Sequence, residues 1–160
     1  MDRLLKKASE KQLLKRPNGK PPIESVMERS PEMKQVDMMT GVYVQCILNA
    51  AVSFHKLHLQ VTGQGSYAQH KALNKLYDAL PNLGDVIAEG YQGACELILD
   101  YPEEAPVILT SVDGAVEYLR YLIMKTDELQ AVMPHSEIVN QLDLVKDVIN
   151  AAKYKLLFLS

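Results

Sequence analysis

HKLHLQVTGQGSYAQHKALNKLYD, residues 55–78, holds three of the chain's four histidines around one turn, GQGS at 63–66. The turn separates two helical patterns. Before it, VDMMTGVYVQCILNAAVSFHKLHLQVT (36–62) carries Val44, Ile47, Ala51, Phe54 and His58 at three- and four-residue spacing, one face of a helix. After it, a second pattern runs from about Tyr67 to Leu99, with Ser66 in position to cap it. Pro81 and Gly84 fall inside this second pattern and predict a kink or local break there. Two long helices joined by so short a turn must lie antiparallel.

The rest of the chain repeats the arrangement. DYPEEAPVILT (100–110) is a proline-containing connection that can extend to about 36 Å, enough to travel the length of a bundle. A third helix is expected from Thr110 or Ser111 to about Val132. MPHS (133–136) turns the chain, with Ser136 as cap. A fourth helix then runs from Glu137 to about Phe158 with Ile138, Leu142, Val145, Ile149, Ala152 and Leu156 on one stripe. No segment alternates with period two for long enough to make a convincing strand. The fold class expected is all-α: a ferritin-like four-helix bundle, residues 37–160, with one long crossover between its second and third helices, the B–C crossover.

Residues 1–36 differ in character. They hold nine Lys and Arg against five acids, a charge of +4, while the remainder holds eight against fifteen, a charge of −7. RPNGKPP (16–22) is a run of turn formers, so this arm is expected to be mobile or ordered by a partner. No apolar run reaches the ~18–20 residues that span a bilayer, and MDRLLKKASEKQLLKRPNGKPP (1–22) has no apolar leader. A cytoplasmic protein without membrane contact is expected. Cys46 and Cys95 have apolar neighbours in helical patterns and read as small buried hydrophobes.

The chemistry concentrates near the turn. His58 and His70 each lie six residues from Gln64, so an antiparallel hairpin sets them side by side. Imidazole is a common ligand for iron, zinc and copper. Asn74 lies one turn beyond His70, and Asp85 and Glu89 form an i, i+4 carboxylate pair further along the same stripe. These groups cannot meet within one chain. Asn74 to Asp85 is about 16 Å along a helix and His70 to Glu89 about 28 Å. A two-fold axis crossing this helix near residues 79–80 would set His58, His70 and Asn74 of one chain against Asp85 and Glu89 of its mate. His55 and His135 read as incidental. No Glu-x-x-His occurs, so the single-bundle di-iron motif is absent, and Glu117, Asp127, Asp143 and Asp147 read as helix surface charges.

FHKLHLQVTGQGSYAQHKALNKLYDALPNLGDVIAEG (54–90) resembles the Dps proteins, the DNA-binding ferritin-like proteins of starved bacteria. His58, the turn glycine Gly63, His70, and Asp85 with Glu89 inside DVIAE stand at that family's spacings, over roughly residues 40–95. Asn74 stands where the family has Asp, and Leu59 where it has Trp. The resemblance implies a mini-ferritin with a ferroxidase centre between two-fold-related subunits of a dodecamer. Iron(II) would be held by His58 and His70 of one subunit and Asp85 and Glu89 of the other. It would be oxidised, preferably by hydrogen peroxide, and stored. No catalytic group apart from these metal ligands is implied. Zinc is the other metal this donor set suits. The resemblance also gives the basic arm a role: Lys6, Lys7, Lys11, Lys15, Arg16 and Lys20 would bind DNA without sequence preference by neutralising phosphates. The alternative reading is a ferritin-like structural or partner-binding module whose metal site is degraded or holds no iron.

Overall fold

A computed structural model describes residues 29–159, and the six basic residues assigned to DNA lie outside it. Four helices follow in order: α1 (Pro31–His58), α2 (Ser66–Cys95), α3 (Val112–Gln130) and α4 (Ser136–Phe158), with no strand among the described residues. None of these helices is long and apolar enough to cross a membrane.

α1 begins five residues before the start expected at Val36. The cause is a start signal at Ser30-Pro31-Glu32. Ser30 is extended and its hydroxyl accepts from the Met33 N–H at 3.3 Å, proline takes the first helical position, and Glu32 sits in the first turn. The last residues of the expected arm, 31–36, are therefore helix. α2 runs unbroken through Pro81. An interior proline costs a helix about 3 kcal/mol. Here Leu73, Leu76, Leu80, Ile87 and Tyr91 are all fully buried, and packing of this kind outweighs local propensity. α2 ends at Cys95 rather than Leu99, because Glu96 takes a left-handed conformation (φ 52°) and turns the chain away.

Ser66 and Ser136 are not caps. Each is the first helical residue, preceded by Gly65 (φ 79°) and by His135 respectively, and neither cap position caps its helix with a side-chain bond. Gly65 has no β-carbon to clash in the left-handed conformation that this turn needs. Ser111 caps α3 as expected, accepting from the Gly114 N–H at 3.0 Å.

Named contacts fix the directions of the helices. His58 meets His70, Ile47 and Leu48 face Gly84, and Asp37 reaches Tyr91, so α2 returns antiparallel along α1. Tyr43 bonds Thr126 at 2.9 Å and Phe54 packs on Tyr118, so α3 is antiparallel to α1 as well. α2 and α3 are therefore parallel, and only a long connection can join them. Residues 96–111 supply it, running along α1: Asp100 lies over Gly41 and the Glu104 carbonyl accepts from Asn49 at 2.9 Å, while Leu99 and Leu109 are buried as anchors. α4 starts beside the end of α2, with Ile138 against Gly90 and His135 against Cys95, and pairs with α3 through Lys146–Asp127 and Gln130–Asp143. The stripes expected on the first and fourth helices, Val44 to His58 and Ile138 to Leu156, are all buried.

The crossing of the connection over α1 is tight. A β-carbon at Gly41 would lie 2.2 Å from the Asp100 carbonyl oxygen, whereas one at Gly93 would meet nothing within 4 Å. In urea unfolding, Gly41→Ala should lose about 1–3 kcal/mol as backbone is forced apart, and Gly93→Ala should gain about 0.4–1 kcal/mol. Equal effects of the two substitutions would contradict this packing.

Candidate functional site

The α1–α2 hairpin brings together the two histidines predicted to converge. The His58 and His70 rings stack with centroids 3.7 Å apart. Nδ1 of His58 lies 3.1 Å from the His70 carbonyl oxygen, and Nδ1 of His70 lies 3.3 Å from that of His58. A carbonyl oxygen only accepts, so both Nδ1 atoms carry the proton and donate it. In the neutral rings Nε2 then holds the lone pair, the electronic state that a metal ligand needs. The main chain does the positioning here: the last turn of α1 and the first turns of α2 hold the two rings reciprocally.

Two further rings extend the stack. Tyr77 meets His58 edge-on at 5.1 Å and lies flat on His55 at 4.1 Å. His55 is exposed and serves as the outer leaf. His58, at 6% exposure, is the buried centre of the group. Asn74 is engaged locally. Its Oδ1 accepts from the Tyr77 hydroxyl at 3.3 Å and its Nδ2 donates to Asp78 at 2.7 Å.

Asp85 and Glu89 are not brought to the histidines. They are exposed on α2, roughly 16 Å or more along the helix from Asn74. Among the described residues of one chain no group of three or more His, Cys, Asp or Glu could hold a metal ion. The four carboxylates read as surface charges are exposed and mostly paired, Glu117 with Arg120 and both Asp127 and Asp143 with Lys146.

Spacing gives no hint of a second cluster, at the opposite end of the hairpin. Arg29 grips Asp37 with two bonds, at 2.9 and 2.7 Å, and the fully buried Tyr91 donates to the same carboxylate at 2.7 Å. Burial and the bond to Asp37 push the Tyr91 hydroxyl far above its usual range. Cys95, only partly buried, has its Sγ 3.4 Å from His135 Nε2. Cys95 packs partly buried against the core, as its apolar neighbours imply, and in addition meets His135, which the sequence did not pair with it. The two are forty residues apart, joined only because α4 starts where α2 ends.

Residues 58–156 match DUF5856, a family of unknown function. The chain belongs to the DUF5856 family. The span shared with DUF5856 contains His58, His70, Asp85, Glu89, Cys95 and His135, and leaves Arg29 and Asp37 outside. Comparisons with curated proteins and with solved structures found no match.

Asn74→Asp tests the local network. It replaces the donor to Asp78 with a like charge one turn away, so the metal-free protein should lose about 0.5–1.5 kcal/mol in denaturant unfolding. Unchanged stability would show that the Asn74–Asp78 bond contributes nothing.

Proposed function

We propose that this chain is a Dps-like mini-ferritin, binding and oxidising iron(II) at sites shared between two copies. The observation that carries the reading is the stacked His58–His70 pair, with both Nδ1 atoms bonded to main-chain carbonyls and Nε2 the atom each neutral ring has left to offer a metal. The helix neighbours support it. α1 lies beside α2 and α3, α4 lies beside α2 and α3, and one long connection joins the parallel α2 and α3, as a ferritin-like bundle requires.

The exposed face of α2 supports pairing of copies. Lys71 and Lys75 lie in its first half, and Asp78, Asp85 and Glu89 lie further along. An antiparallel α2–α2 contact centred near residues 79–80 sets the lysines against the acids in both directions. It also sets Asp85 and Glu89 of the partner subunit against His58 and His70. Two imidazole nitrogens and two carboxylates suit iron(II), and also zinc. Iron is the substrate here. The chain's own groups bind it and leave room for an oxidant. Hydrogen peroxide takes one electron from each of two iron(II) ions and, with two protons, leaves as water. The +4 charge of residues 1–36 supports non-specific DNA binding by the arm, multiplied in an oligomer.

Anaerobic iron(II) followed by peroxide, read as ferric absorbance, tests the reading. The protein should oxidise iron faster than buffer alone, and His58→Ala and Glu89→Ala should each slow it by about tenfold or more, as loss of a ligand does. A rate equal to buffer, unchanged by both substitutions, would instead favour a bundle that serves as a binding module. DNA retention by the full chain should fall steeply between low and physiological salt. A flat salt response would remove the arm from DNA binding.

A further inference from the structure

The cluster at the far end of the hairpin carries chemistry that the metal reading does not use. Cys95 closes α2, and its Sγ lies 3.4 Å from Nε2 of His135, the residue before α4. On the other side of that imidazole, Nδ1 faces the Glu137 carboxylate at 3.8 Å. The Arg29 guanidinium, held by Asp37, also acts electrostatically on the Cys95 thiol. Tyr91 completes the surroundings, with its ring edge-on to His135 at 5.8 Å. The groups facing the sulfur are thus two cations or potential cations, Arg29 and His135, with the hydroxyl of Tyr91. Behind them stand two acids, Asp37 holding Arg29 and Glu137 holding His135.

This order matters. A thiol becomes a nucleophile when a base takes its proton and a cation holds the resulting charge. His135 is placed for the first task and Arg29 for the second. The acids meet the cations rather than the sulfur, so they orient and polarise without repelling the thiolate at close range. Grooves line the bundle elsewhere, beside Cys46, Tyr118 and Tyr121. A partly exposed sulfur, with the His135 side chain 27% exposed beside it, admits a small electrophile.

We propose that Cys95 is a nucleophilic thiol that reduces hydroperoxides, with His135 as its proton acceptor and donor. His135 Nε2 takes the thiol proton. The sulfur attacks one peroxide oxygen, the S–O bond forms and the O–O bond breaks. His135 returns the proton to the departing oxygen. The sulfur loses two electrons and becomes a sulfenic acid; hydrogen peroxide gains them and leaves one water. The Arg29 guanidinium stabilises the charge on the sulfur, and Asp37 positions Arg29.

The inference stands apart from the iron reading and is tested with a chelator present, so that metal chemistry does not contribute. In the full chain carrying Cys46→Ser, hydrogen peroxide is added and sulfenic acid is trapped with dimedone and read by intact mass. The expected result is one adduct at Cys95, forming faster than on free cysteine. His135→Asn should slow it by about tenfold or more, as loss of a general base does. Arg29→Gln should slow it as well, and Glu117→Gln, remote on α3, should not. Iodoacetamide alkylation against pH reads the same thiol without oxidant, and helical circular dichroism reports folding of each variant. Oxidation no faster than free cysteine, or a rate unchanged in a folded His135→Asn variant, would overturn the proposal.

Discussion

The turn through Gly63 and Gly65 sets the register of α1 against α2, and each chemical feature of the molecule inherits its place from that register. Both glycines adopt positive φ, which lets the chain reverse in a few residues. Residues equally distant from the turn then become neighbours along the whole hairpin. His58 stacks on His70 at one end and Tyr91 bonds Asp37 at the other, each pair equidistant from Gln64, while Gly84 faces Ile47 and Leu48 about one turn offset in the middle. A slip of one residue would rotate α2 by about 100° against its partner and separate all of these pairs. The reciprocal Nδ1–carbonyl bonds of the histidines lock the register at the turn, and the Arg29–Asp37–Tyr91 clamp locks it at the far end.

The second constraint is direction. Because α2 and α3 both run against α1, the chain must travel back along the bundle between them. The connection does so closely packed on α1. Its backbone lies over the one position where glycine leaves room, Gly41, and the Asn49 amide holds its middle. The Tyr43–Thr126 bond then joins α1 to α3 within the core, with burial pushing the Tyr43 hydroxyl above its usual range. This fold leaves the stacked His58–His70 pair at one end of the hairpin and the Cys95–His135 contact at the other, about as far apart as α2 is long.

The helices were legible in the sequence because their burial is periodic. Val44, Ile47, Ala51, Phe54 and His58 share one stripe, and all are buried; the Ile138–Leu156 stripe behaves the same way. The His58–His70 pairing was legible because a short turn converts sequence symmetry into proximity. What local rules misread was decided by tertiary context. Pro81 predicts a break that the packing of Leu80, Ile87 and Tyr91 suppresses. Pro31, read as part of a mobile arm, starts a helix because Ser30 caps it. The Cys95–His135 contact was invisible because nothing in a forty-residue separation says that two helix ends meet. The local engagement of Asn74 by Tyr77 and Asp78 also needs coordinates, since spacing alone makes Asn74 look aimed at a ligand.

The central claim is that a metal site is divided between two copies, with imidazoles from one and carboxylates from the other. Subunit complementation measures this directly. A chain carrying His58→Ala and His70→Ala and a second carrying Asp85→Ala and Glu89→Ala each lack every intact site when assembled alone. Co-assembled at equal amounts by refolding, random two-fold pairing rebuilds about a quarter of the wild-type sites. Ferroxidase activity should therefore be near zero for each variant and return to about that fraction in the mixture. Mixed assemblies confirmed by intact-complex mass spectrometry, yet with no more activity than either parent, would contradict the shared site.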